Sequence, residues 1–180
     1  MNSRANESVS CDVCHTVSGF EGEVPHNFNF VSNPTDGKTK YGPRGTGNSP
    51  EHKIIKSDFL KSADFCGTCH NEMSPFGVWV KSTHLEWKEG PYSKEGVQCQ
   101  NCHMTQAEGY TAAMGNKYPD AWQHLFHGAH DPGKVKGTIE LRIHPDIREA
   151  EPRETVKFTV ALFNQKTGHK FPTGSVEDRM

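Results

Sequence analysis

Two segments near the end of the chain alternate apolar and polar residues with the period of a half-buried strand. Ile139, Leu141 and Ile143 alternate with Glu140 and Arg142, and Val156, Phe158, Val160 and Leu162 form a second run. A polar link with two prolines separates them. A lone hairpin is marginal in water. The pattern therefore predicts the first part of a β-sandwich whose other strands are absent, with an edge that a partner or further chain must cover. Upstream the period changes. Val80, His84 and Trp87 fall at i, i+4 and i+7, one face of a helix that Gly90-Pro91 stops. Pro119 and Asp120 read as a helix start and Gly128 as its end. Residues 19–50 hold six glycines and four prolines and predict a long loop. A loop of that length is either a flexible insertion or a wrapping around something. Residues 53–130 read as short helices.

Composition sharpens the question of what is wrapped. Leu, Ile, Val and Phe together make up 32 of 180 residues, below the share at which ordinary cores form. Disorder of that origin usually goes with a large net charge, and here the charge is −2. The chain is then either loosely folded or has a core built from something other than side chains. The near-neutral balance gives no bulk electrostatic case for nucleic acid. No apolar run approaches 18 residues, so no helix spans a bilayer.

The six cysteines and eleven histidines supply the missing part. The segments Cys11-Asp-Val-Cys14-His15, Cys66-Gly-Thr-Cys69-His70 and Cys99-Gln-Asn-Cys102-His103 use every cysteine. C-x-x-C-H is the attachment pattern of c-type haem, and this composition would give about 0.01 such segments by chance. Two thiols three positions apart face one side of a helical turn and can add to the two vinyl groups on a porphyrin edge. The following imidazole then reaches the iron as its proximal ligand, here His15, His70 and His103. Zinc would combine two pairs and strand the third, and gives no reason for a histidine after each pair. A disulfide framework leaves the histidines unexplained. A thioredoxin-like pair lacks its βαβ context. Three covalent haem c groups also answer the composition, because each porphyrin is an apolar plate whose burial replaces aliphatic core. The haem-free chain is expected to be largely unfolded.

Eight further histidines exceed the three distal positions. His84, on an apolar aromatic face, is the first candidate; an ordinary core histidine is its bland alternative. His124 and His130 are the preferred pair from the His124-Leu-Phe-His127-Gly-Ala-His130 cluster, with His127 expected in solvent and a local zinc site as runner-up. His52, beside Pro50, and His169, in a Gly- and Pro-rich turn, are also candidates. His26 and His144 read as surface or structural. Met73, Met104 and Met114 could serve as thioether ligands, but the histidine supply favours bis-histidine ligation and lower potentials.

On these motifs the chain resembles the multihaem cytochrome c superfamily, and more narrowly the branch that includes the tetrahaem cytochrome accepting electrons in hydroxylamine oxidation. The likeness covers most of residues 7–130. It rests on Val9 to His15, Phe65 to Asn71, the tryptophan-to-histidine element ending at His84, Cys99 to Met104 and the His124 to His130 cluster. The Gly168-His169-Lys170-Phe171-Pro172-Thr173-Gly174 turn is similar to a segment of related cytochromes that carry a β domain. The resemblance implies closely packed, mostly bis-histidine haems passing electrons along a chain, with His84 and the His124/His130 pair as distal ligands. Members usually have four or more haem motifs, so three motifs with surplus ligands imply truncation at both ends.

The expected fold is mainly short α-helices and loops wrapped around three c-type haems (residues 1–132), followed by a partial, sandwich-like β segment (133–180). Residues 1–10 lack the order of a secretory signal. Covalent haem attachment normally follows export, so a periplasmic or extracellular location is expected, with the leader absent from this sequence. The expected function is electron transfer with redox partner proteins, and with missing parts of the same chain or neighbouring subunits as further contacts. The alternatives are a fragment of a multihaem oxidoreductase acting on small nitrogen or sulfur compounds, and a subunit of a haem filament. Catalysis needs an open iron. No C-x-x-C-K variant occurs, and the histidine excess argues against an open position.

Overall fold

The computed structural model describes residues 9–33, 38–45, 47, 49–112 and 115–175. The chain runs α1 (Cys11–His15), β1 (Val17–Phe20), β2 (Phe30–Ser32), β3 (Thr39–Gly42), β4 (Lys53–Lys56), a 3-10 turn (Asp58–Lys61), α2 (Ala63–His70), β5 (Asn71–Met73) and β6 (Trp79–Ser82). It continues through α3 (Thr83–Glu89), α4 (Pro91–Lys94), α5 (Cys99–His103), β7 (Gln106–Tyr110), β8 (Lys117–Trp122), α6 (Pro132–Val135), β9 (Ile139–Pro145) and β10 (Phe158–Asn164).

The expected helix-and-loop wrapping is corrected here. Among the described residues 23% are helical and 30% lie in strands, so strands outweigh helices. The strands form five separate two-stranded sheets. Four are antiparallel, and β3–β4 is parallel with Lys40 opposite Ile54. Within the stretch expected to be a loop, the chain forms β1, β2 and β3. Val80 lies in β6 rather than on the helix of His84, and Pro119-Asp120 lies within β8 rather than at a helix start. Strands of three to six residues repeat the two-residue period too few times to stand out from noise. The long alternating runs did announce β9 and β10, which pair over seven residues, Ile143 opposite Val160 and Leu141 opposite Leu162.

One unit recurs. Each C-x-x-C-H segment forms a helix ending on its histidine, and an antiparallel pair follows within a few residues: β1–β2 after α1, β5–β6 after α2, β7–β8 after α5. All three pairs carry a register irregularity, which β9–β10 lacks. Helices of five residues, such as α1 and α5, do not persist alone. They are held by outside partners. Gln98, just before α5, accepts the Ala63 N–H at the start of α2 (2.7 Å), while the Gln100 amide donates to the carbonyls of Leu60 and Ser62 (3.0 and 2.8 Å).

The polypeptide makes almost no apolar core of its own. Among the described residues the buried hydrophobic side chains are Val17, Ala63 and Ala121, and the largest fully buried ones are His84, Asn71 and Pro25. The chain exposes 13235 Å². A compact globular protein of its mass exposes about 8,700 Å². Large apolar side chains remain outside, among them Phe28, Phe30, Phe76 (92% exposed), Leu125 and Phe126. Polar clasps join the units. Asn27 brackets Met73 through two hydrogen bonds, and Arg44 reaches across to the Asp120 carboxylate (2.6 Å) and the Tyr118 ring. At the far end, the turn after β10 docks on α3 and α4. Thr173 donates to Glu86 (2.6 Å), and a Cβ on Gly168 would come within 2.6 Å of Tyr92.

Candidate functional site

All six cysteines are free thiols, exposed or half-buried. In each motif the two thiols and the histidine lie at i, i+3 and i+4 of one helix and so share a face. The three motifs converge. The Cys66 and Cys99 thiols lie close enough to interact: Cys99, with burial, raises the Cys66 pKa well above its ordinary value, and Cys66 lowers that of Cys99. Burial, followed by Cys69, raises the Cys14 thiol.

The proximal histidines are oriented from behind. His15 Nδ1 lies 2.6 Å from the Tyr41 carbonyl in β3, and His103 Nδ1 lies 2.6 Å from the His127 carbonyl. Each carbonyl fixes Nδ1 as the protonated nitrogen and leaves the Nε2 lone pair free for a metal. Burial lowers the His103 pKa and so favours the neutral ring a metal requires. His70 remains solvent-accessible at the end of α2; the surrounding chain, then the Lys81 ammonium, lower its pKa.

Two of these rings have a second imidazole beside them. His15 and His124 have ring centres 6.2 Å apart at 37°, and His103 and His169 are 6.4 Å apart at 17°. Two metal–nitrogen bonds of about 2.0 Å, plus the nitrogen-to-centre distance in each ring, separate the imidazoles of one metal by about 6.3 Å. Both pairs fit that spacing. His169 Nδ1 is bonded to the Lys170 carbonyl (2.8 Å), again leaving Nε2 free. The shared thiol face and the free Nε2 positions are the donor set that attachment of a haem would use.

His84 is held on the far side of α2. It is 1% exposed, with Nδ1 accepting from Asn71 Nδ2 (3.2 Å) and Nε2 facing the Asp64 carboxylate (3.0 Å). Asn71 is itself fully buried, donating to the Pro25 carbonyl and accepting the Leu85 N–H, so its amide orientation is fixed. His84 packs on Gly67, where a Cβ would come within 2.9 Å of its ring and 2.7 Å of Pro25. At about 100° per residue, Asp64 and Gly67 lie on the side of α2 opposite Cys66, Cys69 and His70. His84 therefore backs the helix rather than facing its thiols.

The remaining candidates separate. His130 is exposed in the turn before α6, and its pairing with His124 on neighbouring irons has no counterpart in its contacts. His127, expected in solvent, is half-buried, ion-paired to Asp131 (2.5 Å), and gives its carbonyl to His103. His52 sits beside Asp12 with Nδ1 buried and unpartnered. His26 packs on Phe28 and Trp79, and His144 is exposed on β9. Met114 lies outside the described residues. No three His, Cys, Asp or Glu side chains among the described residues converge as a metal site. The residues not anticipated from sequence are Tyr41, Asn71, Asp64 and the His127 carbonyl. Backbone acceptors carry no side-chain signature, but the asparagine directly after His70 was visible.

No protein-family model matches the chain, and no curated protein matches it significantly. Among solved structures it is similar to a penta-heme cytochrome c552 from Thermochromatium tepidum, with a TM-score of 0.57 and 21% identity. The likeness covers 92% of this chain and 45% of that one, so the chain spans less than half the length of that cytochrome. At this identity the comparison bears on the fold, which is similar to that of a multihaem cytochrome c.

Proposed function

We propose that the chain is an electron-transfer unit holding three covalent c-type haems through Cys11/Cys14, Cys66/Cys69 and Cys99/Cys102, with His15, His70 and His103 as proximal ligands. The observation that carries this reading is the two pairs of neighbouring imidazoles, His15–His124 and His103–His169, with ring centres at the spacing of two axial ligands. Haem supplies one-electron chemistry when bound. The chain's own part is to fix each imidazole's tautomer, to bring the three motif helices together and to exclude water from the porphyrin faces. His124 and His169 are the distal ligands in this proposal, while His84 acts as a core residue.

The thiol contact between Cys66 and Cys99 and the approach of Cys14 to Cys69 support a relay in which the α2 site lies between the other two. The division into residues 1–132 and 133–180 is kept as a proposal, with His169 reaching back from the second segment to serve the first. An extracytoplasmic location and redox protein partners follow from haem attachment. The finer kinship with the hydroxylamine-linked tetrahaem branch remains part of this proposal and rests on the motifs alone.

The test is maturation in a host competent for c-type haem attachment, followed by redox titration. Reversible one-electron steps at three haems support the reading. A colourless product overturns it.

A further inference from the structure

We propose that Asp131 is a positioning residue for the site on α5: through His127 it holds the backbone carbonyl that hydrogen-bonds the His103 ring. The inference rests on the haem reading above and goes beyond it, because it assigns a role to a side chain that is neither a thiol nor an imidazole of that site.

The His103 Nδ1–H donates to the His127 carbonyl (2.6 Å). A carbonyl is aimed by the backbone on either side of it, and here that backbone is held from both sides. Phe126, just before His127, has a φ of 49°, a left-handed conformation that bulky residues seldom adopt. It costs about 1–2 kcal/mol and persists only where neighbouring contacts impose it. On one side the Phe126 ring packs edge-on against His124 (6.0 Å). On the other, the Asp131 carboxylate uses both oxygens. Oδ2 takes the His127 Nδ1–H (2.5 Å), and Oδ1 accepts the backbone N–H groups of Gly133 and Lys134 (2.7 and 3.3 Å), which caps α6. The Asp131 N–H closes the turn on the Gly128 carbonyl (3.0 Å). His127 is thus gripped by its ring at Asp131 and by its carbonyl at His103, with α6 as the anchor.

The His127 and Asp131 side chains are 40% and 28% exposed, and an ion pair so open to water adds about 0–1 kcal/mol. Its loss should therefore leave the chain folded and able to take up haem. The effect falls on ligand strength. A histidine that donates its Nδ1–H to a carbonyl is more basic at Nε2. A stronger axial donor favours the ferric state and lowers the potential. When the carbonyl is free to turn away, the potential of the α5 site rises.

The test uses the holoprotein, its haem content established first by intact mass. Redox titration followed by visible spectra gives the midpoint potentials, and NMR of the reduced protein follows solvent exchange of the His103 Nδ1 proton. Asp131→Asn keeps an amide oxygen to cap α6 but loses the negative charge that grips His127. One potential should rise, the others should stay, and the His103 Nδ1 proton should exchange faster. His127→Leu removes the grip without removing a negative charge, and it should raise the same potential. The double variant should shift that potential no further than the larger single one, since both break one clasp. Asp146→Asn, at an exposed carboxylate on the far hairpin that likewise accepts a backbone N–H, is the control and should move none. A rise in Asp131→Asn with His127→Leu unmoved or lowered would reduce the effect to a lost charge and overturn the proposal. So would potentials unchanged in both. A haem-loaded protein with unmoved potentials refutes this role alone, whereas a haem-free product refutes the reading beneath it.

Discussion

The imidazole of His169 stands 6.4 Å from that of His103, nearly parallel to it, although 66 positions separate them in the chain. Three contacts hold His169 there. Thr167 donates to its carbonyl (2.7 Å), Asn164 does the same (2.8 Å), and Gly168 lies against Tyr92 too closely for any side chain. The glycine before this histidine thus reflects close approach of the turn to α4. Replacing His169 with alanine should convert the haem on α5 from low-spin to high-spin and leave the haem on α1 unchanged. Visible and electron paramagnetic resonance spectra check this; an unchanged low-spin population would mean that another group faces His103.

Gly67 occupies the first variable position of its C-x-x-C segment, where the other motifs carry Asp12 and Gln100. Alanine would gain about 1 kcal/mol of helix propensity. It would also drive a methyl into Pro25 and the His84 ring, and overpacking of that kind costs about 1–3 kcal/mol. The clash should win, so Gly67→Ala is expected to lower the denaturation midpoint of the holoprotein. Asp12→Ala, at a largely exposed position, serves as the control with little effect. A Gly67→Ala protein as stable as the parent would show that His84 does not pack there.

Asn71 serves three partners from a fully buried position. Its replacement by alanine strands the Leu85 N–H, the Pro25 carbonyl and His84 Nδ1. One buried unsatisfied group costs about 1–3 kcal/mol, so Asn71→Ala should destabilise the protein by about 2–4 kcal/mol once partial relaxation is allowed for. Denaturant unfolding measures it. A loss under about 0.5 kcal/mol, the size of an ordinary surface change, would contradict the clasp.

Burial lowers the His84 pKa from its ordinary value of 6.5, against a smaller upward pull from Asp64. The folded state therefore binds this proton less readily than the unfolded state. Its contribution to stability is complete above pH 6.5 and is lost as the pH falls below that value toward the folded pKa. The slope from one such group reaches at most about 1.4 kcal/mol per pH unit. His84→Gln should flatten the acid limb between pH 7 and 5, while Asp64→Asn, which removes the opposing attraction, should steepen it. Stability measured across that range checks both; an acid limb that is identical in His84→Gln would exclude His84 as its source.

How much of this was legible beforehand follows physical lines. The three C-x-x-C-H segments declared helices because attachment chemistry ties i, i+3 and i+4 to one face, and all three end on their histidines. β9 and β10 were legible because seven-residue strands repeat the alternation several times. The pairs behind the motif helices were not, since β2 and β5 are three residues long and their registers are irregular. His124 and His169 were among the candidates, but only the fold could match them to His15 and His103. His84 looked like a ligand because an aromatic, apolar helix face suits either a porphyrin or a core. Asn71 and Asp64, whose contacts with its ring favour the core, lie 13 and 20 residues away.

The most direct measurement is the intact mass of the protein after maturation in a host that attaches c-type haem. Three porphyrins should be found on the chain, resistant to acid–acetone extraction, with thioether bonds at all six cysteines. A mass equal to that of the bare polypeptide, with a well-folded chain and six titratable thiols, would contradict the claim that haem supplies its core.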